Sequence, residues 1–232
     1  MKSIPGDVLT KAKLLVLNYP NSPTGKVATR AFYEHVVDFA QEHRIVVVQD
    51  AAHILLTYQG QPLSFLSSRG AKDVGIEVHS LSKGFDMIGW RIGWVCGHPQ
   101  IVQAFADVKD NCDSGQFIAI QKAAVTALDD PSIPERINTK YRRRLTKLVD
   151  TLGGCGFDCR MPEGSYFLYT RAPRGVQGGP VFATAEEASQ YLIQELSMVT
   201  VPWQEGGPYL RFSVTYVADD EAAEDAIMNE AR

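Results

Sequence analysis

Three short segments concentrate the side chains able to do chemistry: Asn21-Ser22-Pro23-Thr24-Gly25, Asp50-Ala51-Ala52-His53 and Ser80-Leu81-Ser82-Lys83, the last followed by Gly89-Trp90-Arg91. Each follows a short apolar run: LLVLNY (14–19), RIVVVQD (44–50) and GIEVHS (75–80). A carboxylate that ends so apolar a strand needs a cationic or hydrogen-bonding partner. Two serine hydroxyls, Lys83 and an arginine eight residues later can gather around one phosphate-bearing ligand. Taken singly, each segment has a plainer reading. NSPTG reads equally as a turn, Asp50 as the cap of the next helix, and Ser-x-Ser-Lys as a surface loop. Their succession on consecutive strand ends joins them, because open α/β sheets bind ligands outside the carboxyl ends of their strands.

The elements that must hold these segments follow from the apolar periodicity. The near-continuous branched residues of 44–50 suit a parallel strand covered on both faces. A helix over 28–43 would turn Phe32, Val36, Phe39 and Ala40 to one side. RIGWVCG (91–97) reads as a further strand. Helices are expected at about 99–111, 117–129 and 134–152, the last ended by Gly153-Gly154. After Gly156 the pattern changes: SYFLYT (165–170) alternates, 184–196 is helical and YLRFSVT (209–215) is a strand. Asp219, Asp220 and Glu221 suit the start of a final helix. RGVQGGPV (174–181) reads as a flexible surface loop. The expected fold is α/β: residues 1–140 as part of a large domain with a mostly parallel sheet, then residues 141–232 as a small α+β domain.

Of 232 residues, 45% are hydrophobic and 22% charged, with a net charge of -4. That is a globular composition, and it argues against a nucleic-acid or anionic-membrane surface. No apolar run approaches the roughly 20 residues that span a bilayer. The start, MKSIPGDVLTKAK, has no apolar signal core, so a cytoplasmic chain is expected. Cys96, Cys112, Cys155 and Cys159 do not have zinc-ribbon or redox spacing, so reduced thiols and no metal site are expected.

In order and spacing, NSPTG, DAAH, SLSK, GWRIG and a late YLRFS resemble the fold-type I pyridoxal-phosphate aminotransferases of the aspartate aminotransferase class. The resemblance runs from Leu14 to about Ala226. Asp50 follows Ser22 by 28 positions and Arg91 follows Lys83 by eight, as in that family. It implies pyridoxal 5'-phosphate as cofactor and an amino group moved between an amino acid and a 2-oxo acid. Lys83 would form the Schiff base and then shuttle a proton. Asp50 would pair with the protonated ring nitrogen that makes the ring an electron sink. Ser80, Ser82 and Arg91 would hold the phosphate, and Arg211 would clamp the substrate carboxylate through its planar fork. The plainer reading of Arg211 is a solvated strand arginine. The wording of SLSKGFDMIGWRIGWVCG and VPWQEGGPYLRFS is similar to aminotransferases acting on LL-diaminopimelate or on alanine and aspartate. A homodimer is expected.

The sequence departs from the family at three points. Ser22 stands where the family has an asparagine that donates to the cofactor's phenolic oxygen, and Asn21 precedes it. His53 stands where the family has a tyrosine with the same task. Both changes predict an altered pH dependence. The family also carries a long segment ahead of the position where this chain starts, with a glycine-rich phosphate loop, an aromatic residue stacked on the ring, and a tyrosine lent to the neighbouring subunit. Without it, an exposed sheet edge or face is expected. Two alternatives therefore accompany the transferase reading: a catalytically inactive remnant, and a carbon–sulfur lyase using the same residues.

Overall fold

In a computed structural model, which describes residues 4–113 and 115–230, the chain forms two compact units. One comprises the residues up to Pro20 together with Val27–Ile137; the other comprises Asn21–Lys26 and the residues from Asn138 onward.

The first unit contains, in order, α1 (Gly6–Leu9), β1 (Leu14–Asn18), α2 (Arg30–His43), β2 (Val46–Asp50), α3 (Ala71–Val74), β3 (Gly75–Ser80), α4 (Leu81–Gly84), β4 (Gly93–Gly97), α5 (Pro99–Cys112), α6 (Ile118–Leu128) and the start of α7 (Ser132–Gly154). Among the described residues its sheet has the order β1-β2-β3-β4. The first three strands are parallel and β4 is antiparallel. Residues 81–92 link β3 to β4 through α4 and a 3-10 turn at Ile88–Trp90, and the chain returns antiparallel beside β3.

Thr29 caps α2 by accepting a hydrogen bond from the Phe32 amide at 3.1 Å. The buried side of α2, with Tyr33, Val36, Val37 and Ala40, packs with Val47, Phe65 and Ala71, flanked by Leu15 and Leu17. Phe39, expected on that side, instead rests on His43, with ring centroids 4.6 Å apart. The opposite face of the sheet is less covered than a fully buried parallel sheet requires. Leu14 and Val16 are 53% and 62% exposed, and Val46 and Val48 are half-buried.

The second unit holds most of α7, then β5 (Phe167–Arg171), α8 (Ala185–Leu196), β6 (Val201–Trp203), β7 (Tyr209–Ser213) and α9 (Glu221–Glu230). Its antiparallel sheet has the order β5-β7-β6 among the described residues. Leu168, Leu210 and Phe212 are buried on one face, while the register puts Phe167, Tyr169, Arg211, Tyr209 and Trp203 on the other. Segment 174–181, largely exposed, closes on itself: the Val176 amide donates to the Pro180 carbonyl at 2.9 Å, and Gly175 bridges to Val181.

Glycine explains why Asn21–Lys26 belongs here. Gly25 has φ 69°, and a Cβ on it would lie 2.5 Å from the Pro162 Cβ. The Gly164 amide donates to the Gly25 carbonyl at 2.8 Å, and Lys26 pairs with Glu163 at 2.7 Å.

Candidate active site

Asp50 is the last residue of β2, in register with Asn18 and Val78. Its carbonyl accepts from the Asn18 side chain at 3.2 Å and from the Tyr19 amide at 3.2 Å, and the Ala51 amide donates to the Val78 carbonyl at 2.8 Å. The strand end is thus tied to both neighbours. One carboxylate oxygen of Asp50, Oδ1, accepts from the Ala52 amide at 3.0 Å, as a cap would. His53 is buried in the turn that follows. From this turn Leu55 reaches the cluster of Leu81, Phe85, Ile92 and Ala124. Gly84 makes that approach possible, since a Cβ there would lie 2.7 Å from the Leu55 Cβ. The turn carrying His53 therefore sits directly against the turn carrying Lys83.

Ser80 ends β3 and caps α4: its hydroxyl oxygen accepts from the Ser82 amide at 3.1 Å, which leaves its proton for an outside acceptor. Ser82 is buried and Lys83 half-buried, between buried Leu81 and Gly84. Arg91 lies in the left-handed region at φ 52° and is exposed; one end of its guanidinium donates to the Ile88 carbonyl at 3.1 Å. Two backbone bonds fold this segment back over α4, from the Leu81 amide to the Ile92 carbonyl and from the Met87 amide to the Leu81 carbonyl. Gly93 is required at the turn into β4, because a Cβ there would lie 2.3 Å from the His79 carbonyl oxygen.

Asp50, His53, Ser80, Ser82, Lys83 and Arg91 thus share one end of the first unit's sheet. An amine, a carboxylate, hydroxyls and a guanidinium match a ligand with an aldehyde, a basic ring nitrogen and a phosphate, so the donor set fits pyridoxal phosphate. Ser22 and Arg211 lie in the second unit. Ser22 is half-buried and precedes Pro23 through a cis peptide bond. The side-chain oxygen of Asn21 is committed within its own loop, accepting from the Thr24 hydroxyl at 2.6 Å and the Thr24 amide at 3.3 Å. Arg211 is half-buried at the centre of its sheet, in register with Tyr169 and Val201, rather than fully solvated. Its guanidinium carbon lies 4.1 Å from the centre of the Phe167 ring. Among the described residues no carboxylate forms an ion pair with it.

Sequence reasoning missed Gly84, Gly93 and Phe167. Their roles come from close approaches and strand register, for which a lone glycine or phenylalanine carries no local signal.

Comparison with known proteins gives these positions a context. Residues 2–227 match the model of the family "Aminotransferase class I and II". An LL-diaminopimelate aminotransferase of Methanocaldococcus jannaschii is 53% identical over 221 residues, covering 95% of this chain and 53% of that protein. A protein of the same name from Methanococcus maripaludis is 48% identical, covering all of this chain and 57% of its own length. The chain therefore spans little more than half the length of these relatives. Among solved structures, apo-BacF from Bacillus subtilis superposes with a TM-score of 0.89 at 32% identity, over 100% of this chain and 58% of that one. An aminotransferase from Staphylococcus aureus gives 0.88 at 26%, over 99% and 60%. With the family's fold reproduced along the whole of its length, the chain belongs to the class I and II aminotransferases.

Proposed function

We propose that this chain carries the catalytic lysine and the carboxylate clamp of a pyridoxal-phosphate-dependent aminotransferase, moving an amino group between an amino acid and a 2-oxo acid. The gathering of Asp50, His53, Ser80, Ser82 and Lys83 at one sheet end carries the reading. Pyridoxal phosphate, when bound, supplies the electron sink that stabilises a carbanion. Lys83 would hold the cofactor covalently and, once released, move the proton to and from the substrate α-carbon. Asp50, fixed by the Ala52 amide, would keep the ring nitrogen protonated. Ser80, Ser82 and Arg91 would hold the phosphate, and Arg91 must leave the Ile88 carbonyl to give its full fork. Ser22 and His53 would donate to the phenolic oxygen. Arg211, stacked on Phe167 and without an ion-pair partner among the described residues, would take the substrate carboxylate.

LL-diaminopimelate is the first amino donor to test, because the two methanogen relatives carry that name. A cytoplasmic enzyme and a homodimer complete the reading; the exposed Leu14 and Val16 favour association. The other reading is an inactive remnant. Adding pyridoxal phosphate to the purified chain separates the two. The proposal expects the absorbance band of the lysine-bound cofactor, absent in Lys83→Ala and converted by LL-diaminopimelate to the amine form. No band in the unsubstituted chain leaves the remnant. Product released in many-fold excess over the protein, from an amino acid with no 2-oxo acceptor, would instead identify a lyase.

A further inference from the structure

The arginine on β7 does not stand alone. Arg211 and Phe167 are diagonal neighbours on one face of the small sheet, since Phe167 is opposite Ser213 and Tyr169 is opposite Arg211. Diagonal pairs are within reach of long and aromatic side chains. The guanidinium carbon lies 4.1 Å from the Phe167 ring centre. A planar cation over a ring face is attracted by the ring's quadrupole, and it is also held flat. The ring is itself held. Tyr166 meets it edge-on with centroids 4.7 Å apart, and Tyr166, buried, packs at 5.2 Å on Tyr141 of α7, also buried.

We propose that Phe167 is a positioning residue for the carboxylate clamp: the column Tyr141–Tyr166–Phe167 fixes the plane of the Arg211 guanidinium, so that its N–H fork faces an incoming carboxylate without first being ordered. This rests on the reading of Arg211 as that clamp. Pre-ordering matters because a free arginine side chain loses rotamer entropy on binding, which weakens each contact it makes. Occupying one face of the guanidinium with a ring leaves the in-plane N–H groups uncovered, and these are the groups a carboxylate engages in pairs.

The test is a titration of the full chain with butanoate, with butanamide as the uncharged control, followed by NMR on the side-chain Nε–H of Arg211. The unsubstituted chain should bind butanoate and not butanamide, and its Nε–H should be displaced by the Phe167 ring current. Phe167→Leu should lose that displacement and weaken butanoate binding by about three- to five-fold, the scale of an exposed cation–ring contact. Phe167→Met serves equally if the leucine variant does not fold. Phe167→Tyr, which keeps the ring, should restore both signals. If Phe167→Leu or Phe167→Met binds butanoate as the unsubstituted chain does, while Arg211→Met abolishes binding, the inference is overturned and the clamp reading stands. Weakening that is equal in Phe167→Tyr and Phe167→Leu also overturns it, as a purely structural effect. If Arg211→Met binds normally, or the unsubstituted chain does not bind, the clamp reading itself fails.

Discussion

On the proposed reading, His53 and Ser22 would take the place of the family's tyrosine and asparagine as donors to the cofactor's phenolic oxygen. The imidazole is buried, directly after the capped Asp50 and against the Lys83 turn. An imidazole changes charge near neutral pH, which a phenol does not. On the proposed reading, the bound cofactor's absorbance should titrate differently in His53→Tyr than in the unsubstituted chain. A spectrophotometric pH titration of both proteins checks this; coincident curves would remove His53 from the list of donors. Asp50→Asn should leave the lysine-bound band in place and slow amino-group transfer by more than ten-fold, since a neutral amide cannot hold the ring nitrogen protonated. Stopped-flow absorbance separates the two effects.

At the scale of elements, the second unit is fastened by a charge network between α7 and α9. Buried Glu224 accepts from Arg143 at 2.9 Å through each of its oxygens and from Arg144 at 2.7 Å. Arg144 also donates to the carbonyls of Val214 and Tyr216, at 3.2 and 2.6 Å, which fixes the chain just after β7. The Arg143 hydrogen bonds, with help from Arg144, outweigh burial and hold the Glu224 carboxyl at about 2, against an ordinary 4.5. A depressed carboxylate contributes stability that is present above its unfolded pKa and is lost as pH falls through the folded one. Chemical denaturation should therefore show stability falling from about pH 4.5 to pH 2, by up to about 3 kcal/mol, with this fall largely absent in Glu224→Gln. Arg144→Met leaves Glu224 and the carbonyls of Val214 and Tyr216 short of a donor and should cost about 3–5 kcal/mol, read as a drop in melting temperature.

The elements also show what was legible. Strands 14–18, 46–50 and 75–80 and the long helices announce themselves through apolar period, although the helix expected to stop at Gly153-Gly154 runs on through Gly154. Strand 201–203 does not, because Val-Pro-Trp is too short to show alternation and proline lacks a donor for the ladder. The site residues of the first unit were visible as motifs on strand ends, whereas the contact between Phe167 and Arg211 depends on strand register, which neither residue encodes locally.

For the molecule as a whole, one face of the first sheet is the notable surface. Leu14 and Val16 are exposed on the strand that forms the sheet's edge. An apolar edge strand invites pairing or burial by another surface. Sedimentation of the chain should show concentration-dependent association, and Val16→Lys should move it towards monomer. As a surface change, that substitution should alter stability by less than about 0.5 kcal/mol.

The six residues Asn21–Lys26 leave the first unit after Pro20, seat Gly25 on Pro162 and Gly164, and return at Val27. The backbone therefore passes between the units three times, near residues 20, 26 and 137. A protease that cut once, between Ile137 and Asn138, would not release either unit, because the plug at Gly25 would still moor them. Nor could the second unit be exchanged between related proteins as one continuous cassette beginning at Asn138. Such a swap would set Gly164 against another protein's loop in place of its own Gly25, so recombination that keeps the second unit whole must carry residues 21–26 as well.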